Sequence, residues 1–313
     1  EDFDSSAPEN PYLVVYDNAV AFSSPKTSNA APILSDVVPA DFSAFLPATA
    51  PVAFTATDDA PLAETGLVVT LNGERFTAAN GLKIESVGAG KRVTLQGLEA
   101  GVNYEAILSA EDADGKETTR TIHFDTFSKD TYVIEVEDYN FEGGRFIDKP
   151  VPDFEGGFSS NSYSLQIGFA GVDFSDTRTA PNGGATLYRS DDPVRMQRSR
   201  DFVRARYAAL GGADQGVYDY DVGDLVSGEW MNYTRTFPEG AYEIYLRQAV
   251  VNMAFGESVL ELVTGDPSQP DATTRTLGSF LGTRTGFQYR NFALTDGSRE
   301  RPAVVRLNGK STL

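Results

Sequence analysis

Two glutamates, Glu135 and Glu137, stand one residue apart in "VIEVED" at 133–138. If this run is a strand, Ile134 and Val136 point one way and the two carboxylates the other, about 7 Å apart. Like charges that close repel unless a cation or a proton sits between them. Hard oxygen ligands on a rigid strand suit calcium, which makes Glu135 and Glu137 candidate metal ligands; a solvated acidic edge is the bland alternative. Paired carboxylates also serve glycoside hydrolases, about 5 Å apart in retaining enzymes and more in inverting ones. Spacing alone rejects none of these readings. Against catalysis, both residues belong to a single strand with no sign of a substrate cleft around them.

Other chemistries are narrower. The 313 residues contain no cysteine, which excludes disulfide frameworks, zinc–cysteine sites and thiol nucleophiles and leaves the redox compartment open. One histidine, His123, cannot build a multi-histidine metal centre. It lies in "TIHFDTF", where Ile122 and Phe124 alternate as core residues, so His123 is expected to face solvent. "EDADG" at 111–115 has the look of a calcium loop but lacks the remaining ligands, and a hairpin turn is the better reading. A net charge of −19 opposes encounter with nucleic acid or an anionic membrane surface. No apolar run approaches membrane-spanning length.

The single tryptophan, Trp230, lies in "GEWMNYTRTFPEGAYEIYLR" at 228–247. Strand alternation puts Met231, Tyr233 and Phe237 on a core face and Trp230, Asn232, Thr234 and Thr236 on the opposite, polar one. Arg235 has core parity near the strand's end, where a bulge or exposure accommodates it. In the following strand Tyr242, Ile244 and Leu246 point inward, and Glu243, Tyr245 and Arg247 outward. With Pro238 to Ala241 as the connecting loop, Asn232 falls opposite Arg247 and Trp230 opposite Ala249. An indole flanked by Asn232, Arg247 and Tyr245 suits a sugar, whose C–H face packs on the ring while polar side chains bond its hydroxyls. The alternative is that another segment covers this face and Trp230 is core packing.

The elements that must position these residues are almost all strands. Turn signals such as Asn72-Gly73, Asp114-Gly115 and Asp296-Gly297 punctuate short runs rich in Val, Ile, Thr, Tyr and Phe, which predicts an all-β chain of two sandwiches. Residues 1–28 read as the tail of a preceding module plus a linker, with a strand pair around Asp17-Asn18. Residues 29–128 form the first sandwich, with a hairpin at Asn72-Gly73 and a corner tyrosine, Tyr104, bonding back to the upstream backbone beside buried Leu95 and Leu98. This stretch resembles fibronectin type III and bacterial immunoglobulin-like modules, which implies a spacer. Residues 129–313 form the second sandwich, whose closing "VVRLNG" turns at Asn308-Gly309 without a returning strand, as if truncated. "RSRDFVRARYAAL" at 198–210 has a weak helical look. The arginines at 189, 195, 198, 200, 204 and 206 either pair with local acids such as Asp191, Asp192 and Asp201 or recognise an anionic glycan.

"YVIEVEDYNFEGG" at 132–144, "YRSDDPVRM" at 188–196, "YDVGDLVSGEWMNYTRTFPEGAYEIYLRQA" at 220–249 and "VVRLNG" at 304–309 resemble family 6 carbohydrate-binding modules and their relatives. The resemblance implies a jelly-roll sandwich that binds oligo- or polysaccharide without catalysis, in a secreted or cell-surface protein of bacterial modular type with covalently linked neighbours. It implies that Trp230 serves a cleft on the concave sheet face, and that Glu135 and Glu137 hold a structural calcium completed by loop carbonyls and a carboxylate of the final strand. It departs at Asp224, where family members that bind in the loop-end cleft carry a tyrosine; Tyr218 and Tyr220 are the available substitutes. A structural or adhesive sandwich without sugar binding, and a glycoside hydrolase, are the rival readings.

Overall fold

A computed structural model describes residues 14–16, 19–21, 30–128, 131–151, 161–181, 188–201, 218–298 and 301–313. The expected turn at Asp17-Asn18, most of the helical-looking 198–210 run and the arginines at 204 and 206 lie outside the described residues. The chain is all-β. The opening strands β1 (Val14–Tyr16) and β2 (Ala19–Ala21) pair antiparallel, Val14 with Ala21.

The next unit is two four-stranded antiparallel sheets. One has the order β3 (Ile33–Val38), β4 (Val52–Thr57), β8 (Gly90–Leu95), β7 (Lys83–Val87); the other runs β10 (Glu117–Asp125), β9 (Asn103–Glu111), β5 (Leu67–Leu71), β6 (Glu74–Phe76). The sheets close on one core that includes Phe54, Leu67, Val93, Leu108 and Ile122. Local signals act as read. Asn72 and Gly73 take φ of 47° and 85°, the two positive values a primed turn requires, and join β5 to β6. The Tyr104 hydroxyl accepts the Glu99 N–H at 2.7 Å, and Leu95 and Leu98 are buried beside it. In "EDADG" the Asp112 carboxylate accepts the N–H groups of Asp114 and Lys116, both at 2.9 Å, making it the turn of the β9–β10 hairpin.

The C-terminal unit is a second sandwich. A four-stranded sheet, ordered β16 (Tyr245–Gln248), β19 (Arg290–Thr295), β18 (Thr274–Thr283), β17 (Phe255–Val263), faces the pair β15 (Thr234–Glu243) and β20 (Val304–Thr312). Phe237, Phe280, Leu294, Val305 and Leu307 fill the space between, with Tyr242, Ile244 and Leu246 packed against them as strand parity predicts. Short ribbons, β11 (Phe174–Ser175) with β14 (Trp230–Met231) and β12 (Met196–Arg198) with β13 (Tyr220–Val222), flank a separate aromatic core of Tyr139, Phe141, Tyr163, Tyr188 and Tyr220.

Three expectations need correction. Pro238 to Ala241 is not a hairpin loop: β15 runs straight through it, absorbing one extra residue as a bulge between Phe237 and Gly240 opposite β20. Asn308-Gly309 is not a terminal turn either, since β20 continues to Thr312 and Gly309, at φ 68°, faces Phe237 at that bulge. Finally, "VIEVED" is not a strand; Val136 and Glu137 form a turn in which the Asp138 N–H donates to the Glu135 carbonyl at 3.0 Å.

Candidate functional site

The bulge reorganises the predicted platform. Because β15 pairs with β20 and β16 pairs with β19, Asn232 does not fall opposite Arg247, nor Trp230 opposite Ala249. Trp230 instead lies opposite Ser175, while the adjacent Met231–Phe174 pair faces inward. Met231 and Tyr233 pack on the aromatic core as predicted, and Trp230 on the other side is 38% exposed. Beyond the break between β14 and β15 alternation still puts Arg235 and Phe237 inside and Thr236 outside, and Thr234 is the residue that departs from it. Thr234 is fully buried, bonded to Asn140 and Thr312, and Arg235 is buried with its guanidinium donating to the carbonyls of Thr234 and Asp138.

Trp230 is flanked by a clamp that sequence reading missed. One oxygen of Glu229 accepts the Thr177 N–H at 2.9 Å and its hydroxyl at 2.7 Å; the other accepts the Val226 N–H at 2.9 Å. The residues on either side of the ribbon are thereby tied together. Asn232 is committed to the backbone: its side chain donates to the Val172 carbonyl at 2.7 Å, and its own N–H donates to the Asp173 carbonyl at 2.9 Å.

Arg247 and Tyr245 belong elsewhere. Arg247 forks onto Asp201, with Nη2 to Oδ1 at 2.8 Å, and Tyr245 packs its ring 5.1 Å from Phe127 at the junction with the first sandwich. The Tyr245 hydroxyl donates to Glu243 at 3.0 Å; burial, then that carboxylate, pushes it up to about 12. The four predicted ligand-binding residues therefore form two groups.

The arginine-rich run resolves toward local pairing where it is described. Arg189 is fully buried, bonded to Asp192 and to the carbonyls of Tyr139 and Asn140, with its guanidinium 3.5 Å from the Tyr139 ring centroid. Arg195 pairs with Asp224, and Arg198 and Arg200 lie over the rings of Tyr218 and Phe287. Tyr220 is buried and stacked on Tyr188 at 4.7 Å, so it does not supply an open aromatic face in place of a residue at 224.

The acidic pair has a third member. Carboxylate oxygens of Glu135, Glu137 and Asp219 lie within 4.8 Å of one another, with Glu135 6% and Glu137 1% exposed. Asp219 is more than eighty positions away in sequence, and no local spacing could have flagged it. Oε1 of Glu137 is buried and receives no hydrogen bond. Burial, then the charges of Glu135, Asp138 and Asp219, pushes the Glu137 carboxyl well above the usual carboxylate range. A buried carboxylate with one oxygen lacking a donor, converging with two others, fits a hard divalent cation, which supplies the missing positive charge to all three.

His123 does not point freely into solvent; its ring is held between Asp41 and Glu105. No helix among the described residues is long and apolar enough to cross a membrane. No family model matches the chain, and no curated protein matches it.

Proposed function

We propose that the chain is a non-catalytic glycan-binding protein in which the C-terminal sandwich carries the sugar platform and the N-terminal sandwich acts as a spacer. The observation that carries this reading is the placement of the only indole at a ribbon edge, 38% exposed and backed by the Glu229 clamp, where a large aromatic would ordinarily be buried. The polar companions are Ser175 and the Glu229–Thr177 pair in place of Arg247 and Tyr245. With arginines 189 and 195 engaged by local acids and a net charge of −19, the platform suits an uncharged oligo- or polysaccharide over an anionic one. Secretion or surface display and linkage to further modules belong to the same proposal.

Affinity electrophoresis through gels containing soluble polysaccharides tests it. The intact chain should be retarded by at least one of them and Trp230→Ala should not; equal mobility of the two in every gel rejects the platform. Release of reducing sugar that depends on Glu135 or Glu137 would favour hydrolysis instead.

Glu135, Glu137 and Asp219 would hold calcium in a structural role. When bound, the ion supplies positive charge that cancels carboxylate repulsion. Its contribution is to hold the 135–138 turn against Asp219. A ligand that binds only the native state stabilises by about 2.7 kcal/mol at a hundredfold excess over its Kd. The melting temperature should therefore rise with added calcium relative to chelator, and an unchanged value would leave the three carboxylates without a metal.

A further inference from the structure

A groove of about 190 Å³ lies on the outer face of the β10–β9–β5–β6 sheet, on the sandwich that carries neither Trp230 nor the acidic triad. Strand alternation makes it. Leu67, Val69, Leu108 and Ile122 point into the core, so Val68, Thr70, Ile107, Ser109 and Thr119 point outward and line the groove. The register sets these side chains in rows. Arg75 on β6 lies opposite Thr70 on β5, and Glu111 on β9 lies opposite Glu117 on β10. Between those rows Val68 lies opposite Ser109, which in turn lies opposite Thr119. Two features hollow the face. The short β6 pairs only with Val69, Thr70 and Leu71, so Val68 has no strand partner on that side. Gly66 brings no side chain to the row of Glu111, and a Cβ there would stand 2.3 Å from the Glu111 carbonyl oxygen.

Charge is divided between the two ends. At one end the Arg75 guanidinium has no hydrogen bond or ion pair among the described residues. At the other, Glu117 accepts the Ser109 hydroxyl through one oxygen, which fixes that carboxylate at the groove, and Glu111 faces it across the strand pair. Like charges directly opposite each other are destabilising, so this end favours a cation between them. Neither carboxylate is ion-paired among the described residues. Arg75 and Glu111 are too far apart to pair directly: two strand spacings and four residues separate them, about 10 Å across the sheet and about 13 Å along it. Val68 and Ile107 give the space between them an apolar floor.

We propose that this groove binds the C-terminal lysine of a peptide. The terminal carboxylate forks onto Arg75, the ε-ammonium sits between Glu111 and Glu117, and the methylenes of the side chain lie over Val68 and Ile107. Thr70, opposite Arg75, offers its hydroxyl to the same carboxylate. Both charges of the ligand are needed. A carboxylate alone would leave Glu111 facing Glu117, and an amine alone would leave Arg75 unpaired. Free lysine is the poorer fit, because its α-ammonium would stand beside the Arg75 guanidinium and be repelled by it. The site gives the spacer sandwich a binding role of its own, independent of the glycan platform.

Isothermal titration calorimetry of the whole chain with Nα-acetyl-L-lysine, which presents the carboxylate and the ε-ammonium alone, tests the assignment. One saturable site per chain is expected. Nα-acetyl-L-lysine amide keeps the ammonium and lacks the carboxylate, so it separates this site from general attraction of cations to a chain of net charge −19. The amide should bind about tenfold more weakly or worse, as should the acetylated lysine to Arg75→Gln and to Glu111→Gln, since each change removes a charge-assisted contact. Free L-lysine should also bind more weakly than the acetylated form. Arg75 and Glu111 are both exposed, so the variants should keep the parent's melting temperature, and weakened binding then reports the site and not the fold. Absence of saturable binding to the parent, equal affinity for the amide, or undiminished binding by either variant overturns the proposal. Free lysine binding as tightly as the acetylated form would overturn the assignment to a peptide terminus.

Discussion

Glu137 shows how one atom can decide between bland and specific readings. On a solvated edge its charge would cost little; here the carboxylate is buried, crowded by three other acids and lacks a donor on Oε1. Glu137→Gln removes that uncompensated charge while keeping the shape. In chelator the variant should melt higher than the parent, and added calcium should no longer raise its melting temperature; a calcium shift equal to the parent's would remove Glu137 from the metal site. Trp230 behaves oppositely. Its ring is partly open to water, so Trp230→Ala should cost less than the about 3–5 kcal/mol of truncating a fully buried aromatic, measured in urea, even as it abolishes retention on glycan. A large loss of stability would mark the indole as packing. As the sole tryptophan, it also makes intrinsic fluorescence a report on this one place.

At the scale of elements, the corner between Leu98 and β9 is a hydrogen-bond device. Tyr104→Phe leaves the Glu99 N–H without its acceptor and should cost about 1–2 kcal/mol, read as a lower denaturant midpoint at unchanged slope. The segment after β3 contributes through Asp41. Its carboxyl is held below the ordinary value, so its contribution to stability is present above the ordinary carboxylate range and is lost as pH falls through the depressed one. Asp41→Asn should therefore flatten the acid limb of a stability–pH profile, and an unchanged limb would show that other carboxylates set it. Local turn chemistry was legible at Asn72-Gly73 and Asp112. It misled at Pro238-Glu239-Gly240 and Asn308-Gly309, because facing irregularities on paired strands absorb each other as a bulge and the same residues then continue a sheet.

For the whole molecule, the joint between sandwiches matters most. Asp125 and Asn291, both buried, meet at 2.8 Å, the Asn103 amide donates to the Asn291 carbonyl at 3.3 Å, and Phe127 packs on Tyr245. A buried acceptor stripped of a donor costs about 1–3 kcal/mol. Asn291→Ala should accordingly split a single calorimetric transition into two, with the sandwiches unfolding separately. One unbroken transition in the variant would mean that the remaining contacts suffice to couple them.

Composition and period sufficed for the all-β class, the inward faces of "YEIYLR" and the Tyr104 corner, since each depends on neighbours within a few residues or on simple alternation. The outward side of Trp230 was legible for the same reason. What stands beside it was not, because sheet partners are chosen by the whole chain: β15 leaves the predicted hairpin for β20, and Arg247 and Tyr245 go to the module junction. Asp219 joining Glu135 and Glu137, and Asp41 reaching the His123 ring, are likewise products of tertiary folding, where residues some eighty positions apart meet.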